Sequence, residues 1–77
     1  MNKQRRAIID KIISAVNGIE TDLEEVKQSE AEAFDALSEG LQQTEQGQRI
    51  QQAAEALERA YDAWTELLSA LEEAVEL

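Results

Sequence analysis

Ala56-Leu-Glu-Arg-Ala-Tyr-Asp62, Ala63-Trp-Thr-Glu-Leu-Leu-Ser69 and Ala70-Leu-Glu-Glu-Ala-Val-Glu76 are three successive heptads, and they decide the fold class. With Ile50, Leu57, Trp64 and Leu71 at position a, position d holds Ala53, Ala60, Leu67 and Ala74, which makes one apolar seam along a helix. A second column at e, Ala54, Tyr61, Leu68 and Val75, adjoins that seam, and a third at g, Ala56, Ala63 and Ala70, borders it. The apolar face is wider than one neighbouring helix needs. A helix with so wide an apolar stripe is not stable alone in water, so the rest of the chain must supply what it packs against.

The same ruler fits the first half of the chain. Position a is Ile9, Val16, Leu23, Glu30 and Leu37, and position d is Ile12, Ile19, Val26 and Ala33. Asn2 is a candidate N-cap, and the periodicity predicts one helix over about residues 3–38. Asn17-Gly18 would ordinarily suggest a turn, yet Val16 and Ile19 keep their phase across it. The pattern therefore predicts a continuous helix weakened by about 1 kcal/mol at Gly18. Residues 39–46 have lost the phase and read as the turn, with Gly40 predicted to end the first helix in the left-handed conformation. Thr44 is the candidate cap of a second helix over about residues 47–76, Glu45 suits its first turn, and Leu41 is predicted to fold back over the bend.

A short connection makes the two helices antiparallel neighbours. The turn sets a register in which facing residue numbers sum to roughly 86, placing Leu23 near Trp64 and Val16 near Leu71. Toward the open end the apolar surface exceeds what two helices can hide from each other. Ile8, Ile12, Ile13, Tyr61, Trp64, Leu68, Leu71 and Val75 are the candidate interface residues, and a homodimer forming a four-helix bundle is the simplest way to cover them. The expected architecture is thus all-α: an antiparallel, coiled-coil-like two-helix hairpin, one domain over residues 1–77, dimerising.

Composition supports that class and narrows the function. A chain of 77 residues has one thin core and usually needs a staple. With no Cys and no His it has neither a disulfide nor the commonest metal ligands and bases, which leaves oligomerisation. Residues 1–11 carry Lys3, Arg5, Arg6 and Lys11 against Asp10, a net charge of +3. Residues 12–77 carry three basic and sixteen acidic residues, a net of −13. So acidic a body repels nucleic acid and anionic membranes. The basic start is expected to lie beside Glu72, Glu73 and Glu76 rather than to form a free arm. No apolar run reaches the ~18 residues of a membrane span, and Asp10 and Lys11 break any signal-like apolar stretch. The expectation is a cytoplasmic protein with no membrane partner.

Chemistry finds little support. Glu55, Glu58 and Asp62 are the best acidic set, but Glu55 and Glu58 are on outer heptad positions and no matching set faces them, so a solvated helix face is the reading and neither metal nor cofactor is expected. Glu30, alone among carboxylates on the seam, reads as a register device or as a point where the helices diverge, rather than as a catalytic group. Ser14, Ser29, Ser38 and Ser69 have no His to activate them, and there is no phosphate-binding loop. No catalytic residue is expected.

The opening Met-Asn-Lys-Gln-Arg-Arg-Ala, the turn Glu39-Gly-Leu-Gln-Gln-Thr-Glu-Gln-Gly47 and the Ala-x-x-Ala-Leu-Glu-x-Ala run that follows resemble a group of small acidic helical proteins of phages and integrated mobile elements, without assigned function. The resemblance spans nearly the whole chain and rests mainly on the turn. In that group the turn more often reads Glu-Asn-Leu-Gln followed by Ser-Glu-Arg, from which Gly40, Thr44 and Gln46 depart. It implies a phage-type origin and transfers no catalytic residue.

The functional expectation is a non-enzymatic protein–protein interaction module, binding itself or an unidentified host or phage protein. One alternative is an inhibitor of a host defence enzyme, of anti-CRISPR or anti-restriction type. Its acidic face, built from Glu20, Asp22, Glu24, Glu25, Glu32, Asp35, Glu55, Glu58, Asp62 and Glu66, would mimic nucleic acid. Another alternative is an oligomeric sponge for a signalling nucleotide, for which Lys3, Arg5, Arg6 and Lys11 are the available basic cluster.

Overall fold

The computed structural model describes residues 1–77 and contains four helices: α1 (Lys3–Gly18), α2 (Glu20–Asp35), α3 (Glu39–Gln42) and α4 (Glu45–Glu76). α1 and α2 follow one another along one arm, α3 is a single turn at the bend, and α4 returns as the other arm. The result is a rod-like plate of 57 × 16 × 13 Å. No helix is long and apolar enough to cross a membrane.

Two caps fall where the sequence puts them. The Asn2 side chain accepts from the Arg5 N–H at 2.8 Å, and the Thr44 hydroxyl accepts from the Gly47 N–H at 3.1 Å while donating to the Leu41 carbonyl at 2.6 Å. Each cap satisfies an amide that the first helical turn leaves free.

The first arm departs from the expected continuous helix. It is interrupted at Ile19 (φ −94°, ψ −4°), whose N–H reaches back only three residues, to the Val16 carbonyl at 3.4 Å. The normal four-residue pattern resumes with Leu23 N–H donating to Ile19 O at 3.0 Å. Asn17 and Gly18 are weak helix formers, so the break falls where the helix is least costly to open. What the break leaves available is used across the hairpin: the indole N–H of Trp64 donates to the Val16 carbonyl at 2.7 Å. Gly18 has no positive φ, and a Cβ built there meets no atom within 4 Å. Gly18→Ala is therefore expected to stabilise the hairpin by about 0.5–1 kcal/mol, a rise of about 3–6 °C in Tm on thermal melting.

The bend is built differently from the expectation as well. The first arm ends at Asp35 rather than near 38, and no glycine has positive φ, so Gly40 does not provide a left-handed cap. Instead it lies inside α3, which Ser38 caps through the Leu41 N–H at 3.4 Å. The carbonyls at the end of the arm are covered by a side chain: the Gln42 amide donates to Phe34 O at 3.1 Å and to Leu37 O at 3.2 Å. Gln48 then donates its amide to Gln42 O at 2.8 Å and ties α4 to the bend. Gly47 is buried where α4 passes the α3 backbone, and a Cβ there would press into Leu41 O and lie 2.8 Å from Gln42 O. Leu41 borders a small recess with Leu37, Gly47 and Ile50 but stays 54% exposed, rather than closing over the bend.

The arms close on columns a and e, not on a and d. On the first arm the half-buried residues are Ile9, Ile13, Val16, Leu23, Lys27, Glu30, Phe34 and Leu37; on α4 they include Ile50, Ala54, Leu57, Tyr61, Leu68, Leu71 and Val75, with Trp64 buried, and Ala74 near the chain end is the one half-buried residue of column d. The spacing alternates by three and four, missing one step just past Ile19, where Glu20 at e is exposed, and resumes in phase at Leu23. Helices meeting on a and e still follow a seven-residue repeat. The choice between d and e is set by which residues fill the seam: Phe34, Tyr61 and Leu68 stand at e, whereas d on α4 is mostly alanine.

Three contacts cross between the arms. Near the bend the Lys27 ammonium sits over the Tyr61 ring, 4.4 Å from its centroid, a pair whose numbers sum to 88. At Val16 and Trp64 the sum is 80, and at the open end, where the Met1 ammonium donates to Leu77 O at 3.2 Å, it is 78. The indole thus bonds two turns away from Leu23, the residue expected beside it. The ends of the chain meet, but the basic start makes no ion pair with Glu72, Glu73 or Glu76. The one ion pair within 4 Å is the exposed Arg49–Glu45 pair at 2.8 Å.

Candidate functional site

Closing the hairpin on a and e turns columns d and g outward. In an antiparallel pair the approximate two-fold axis runs perpendicular to the plate, so it carries each column onto the same column of the other arm, on the same side. Columns d and g of both arms therefore share one face, and b and f share the other. The crevice between the arms near the bend bears this out. It is lined by Lys27, Gln28, Ala31, Phe34 and Asp35 from one arm and Gln51, Ala54, Glu55 and Glu58 from the other. All of these stand at e, b or f.

The d/g face is apolar along its length. It carries Ile8, Ile12, Ala15, Ile19, Val26, Ala33 and Ala36 from the first arm and Ala53, Ala56, Ala60, Ala63, Leu67, Ala70 and Ala74 from α4. Its large side chains are open to solvent, with Ile8, Ile12, Ile19, Val26 and Leu67 between 43% and 55% exposed. Apart from the terminal Met1 and Leu77 and from Leu41 at the bend, these are all the large exposed apolar residues of the hairpin. Asp22 is the only carboxylate in the two columns, with Arg5 and Arg49 toward the ends. Scattered exposed apolar residues are ordinary on a protein surface. Confinement of all of them to one face is not.

The opposite face is acidic. Columns b and f carry Asp10, Glu24, Asp35, Glu55, Glu58, Asp62, Glu72 and Glu76, flanked at c by Glu25, Glu32, Glu66 and Glu73. Of the residues predicted for an acidic surface, Glu24, Asp35, Glu55, Glu58 and Asp62 are on this face, and Asp35, Glu55 and Glu58 converge on the crevice, where Lys27 and Gln28 accompany them. Glu20 projects at e near the break, Glu32 flanks the acidic face, and Asp22 lies on the apolar side. No three carboxylates come close enough together to share a metal ion.

The predicted interface residues divide between two surfaces. Ile8 and Ile12 lie on the open d/g face. Ile13, Tyr61, Leu68, Leu71 and Val75 stand half-buried in the columns where the arms meet, and Trp64, 8% exposed, is the only buried apolar side chain of the chain. Tyr61 and Trp64 pack with ring centroids 5.5 Å apart. Ile19 and Val26 escape a reading of the sequence that uses column d to close the hairpin, while Leu67 belongs to the apolar surplus expected at the open end. The signal that could have found them is the size of the side chains: the large residues of α4 are at a and e, and the first arm supplies Phe34 at e.

Compared with protein-family models, with curated proteins and with solved structures, the chain has no match.

Proposed function

We propose that this chain is a non-enzymatic protein–protein interaction module, of phage or mobile-element type by the resemblance of its turn, that works through its d/g face. The observation that carries the reading is the segregation of exposed apolar side chains. Ile8, Ile12, Ile19, Val26 and Leu67 share one side of the plate, and the acids of b and f occupy the other, with those of c along the edges. A contiguous apolar strip of this length, bordered by charge, marks a surface that is covered by protein.

The test is native mass spectrometry of the tagged chain recovered gently from expressing cells. The expected result is an assembly with more than one polypeptide, lost in the Ile19→Glu, Leu67→Glu double variant. A single free polypeptide for the unsubstituted chain would contradict the proposal.

The acidic-mimic reading draws on the same arrangement, since Glu24, Asp35, Glu55, Glu58 and Asp62 would stay outermost with the apolar face covered. Salt separates the two. Mimicry of phosphates weakens steeply as ionic strength rises, whereas apolar docking does not.

A further inference from the structure

We infer that the occupant of the d/g face is a second copy of this chain, the two plates meeting face to face in a four-helix bundle whose two-fold axis runs along the hairpin. The inference rests on the reading of that face as an interaction surface and names its partner.

Area is the first support. The hairpin exposes 5804 Å², while a compact protein of its mass exposes about 4,700 Å². The surplus is about 1,100 Å², more than the ~800 Å² each partner contributes to a standard interface. A compact dimer of twice the mass would expose about 7,800 Å². Reaching that value from two separate hairpins buries about 3,800 Å² in total, within the range of obligate homodimers.

Shape is the second. The d/g columns are large on the first arm, where Ile12, Ile19 and Val26 stand, and small on α4 except at Leu67, with Ala53, Ala60 and Ala63 standing near it. A two-fold axis along the hairpin sets the first arm of each copy over α4 of the other, so the large residues of the first arm meet a mostly alanine surface at both contacts, Leu67 being the one large side chain within it. It also makes every neighbouring pair of helices antiparallel, the arrangement of an up-down-up-down bundle. The alternative two-fold axis, across the hairpin, would stack isoleucines on isoleucines and leave the alanines apart.

Charge is the third. Each copy carries −10, and face-to-face packing through d/g sets the acidic b and f columns on the two outermost surfaces, with the acids of c along the edges. Residual repulsion between copies is screened by salt.

Sedimentation equilibrium over a range of protein and NaCl concentrations tests this, with circular dichroism to follow the helices. The expected result is a mass of two copies whose dissociation constant falls as salt rises. Leu67→Ala keeps a strong helix former in place, so the hairpin should stay helical while the dimer weakens at least tenfold; Thr65→Ala, on the other face, should leave it unchanged. Ile19→Glu with Leu67→Glu should give a single copy. A wild-type chain that stays a single copy at several hundred micromolar overturns the inference, and so does a Leu67→Ala dimer as tight as wild type. If such a monomer still enters a larger assembly in cells through Ile19 and Leu67, only the second copy is refuted; if it is free there too, the interaction reading falls with it.

Discussion

Trp64→Ala is expected to cost the hairpin about 3–5 kcal/mol. Trp64 is the only apolar residue with less than a tenth of its surface exposed, so its removal takes away the one well-formed piece of core. The loss also strips the Val16 carbonyl of its indole donor at 2.7 Å, at the point where the first arm is already broken at Ile19. A domain of this size has a total stability of about 4–12 kcal/mol, which the substitution consumes in large part. Trp64→Phe separates the two contributions: it keeps most of the buried ring and loses only the N–H donor, for which about 1 kcal/mol is expected. Thermal melting followed by circular dichroism reads both. The account requires a loss of at least about 12 °C for Trp64→Ala and a clearly smaller one for Trp64→Phe; a Trp64→Ala chain melting within a few degrees of wild type would contradict it.

The second large effect belongs to Gly47→Ala. In a mid-helix position an alanine ordinarily stabilises, because it loses less backbone freedom on folding than glycine does. Here the added Cβ presses into Leu41 O and sits 2.8 Å from Gln42 O. Both are backbone atoms that no rotamer change can move aside. Relief requires α4 to shift away from α3, stretching the Gln48-to-Gln42 and Gly47-to-Thr44 hydrogen bonds. The expected cost is about 2–3 kcal/mol, with Gly47→Val worse. Gly40→Ala is the control, since its Cβ would meet nothing within 4 Å, and it should be neutral or mildly stabilising. Urea denaturation of the two variants side by side distinguishes them: the ordering Gly47→Ala far below wild type and Gly40→Ala at or above it is required, and equal midpoints would refute the close approach of α4 to the bend.

Much of this hairpin can be read from its residues, and the parts that cannot have definite physical causes. Helix content, the antiparallel return and the caps at Asn2 and Thr44 follow from short-range chemistry: a seven-residue period, a polar stretch without phase, and side chains that can accept from free amides. The inward seam does not follow so directly. A heptad with apolar residues at a, d, e and g allows the helix to face its partner through a/d or through a/e, and periodicity is equally satisfied by both. The decision is made by the volumes of Phe34, Tyr61 and Leu68 against the alanines of column d, a packing question between two arms. For the same reason the candidate interface residues divide: Ile8 and Ile12 lie outside, while Trp64, Tyr61 and Leu68 close the hairpin. At Ile19 the first arm breaks beside Asn17-Gly18, where the sequence signals weakness, and Trp64, 48 residues away, hydrogen-bonds the Val16 carbonyl there, a contact that the local sequence does not announce. At the bend, glycine looked like the cap because it usually is; Gln42 and Gln48 do that work through side-chain amides, for which no short sequence signal exists.

The most direct test of the whole account compares two adjacent residues. The chain has no cysteine, so Ala53→Cys and Ala54→Cys each place one thiol at a known column. Reaction with a thiol reagent is followed at dilutions where the chain is a single copy, and again at high concentration. At high dilution the Ala53→Cys thiol, at d, should react close to the rate of a free thiol, and the Ala54→Cys thiol, at e, at least several times more slowly. On concentration the Ala53→Cys thiol should become protected as the second plate covers the d/g face. Equal rates for the two positions, or faster reaction at Ala54→Cys, would mean that the arms close on column d and that the face described here is not the open one.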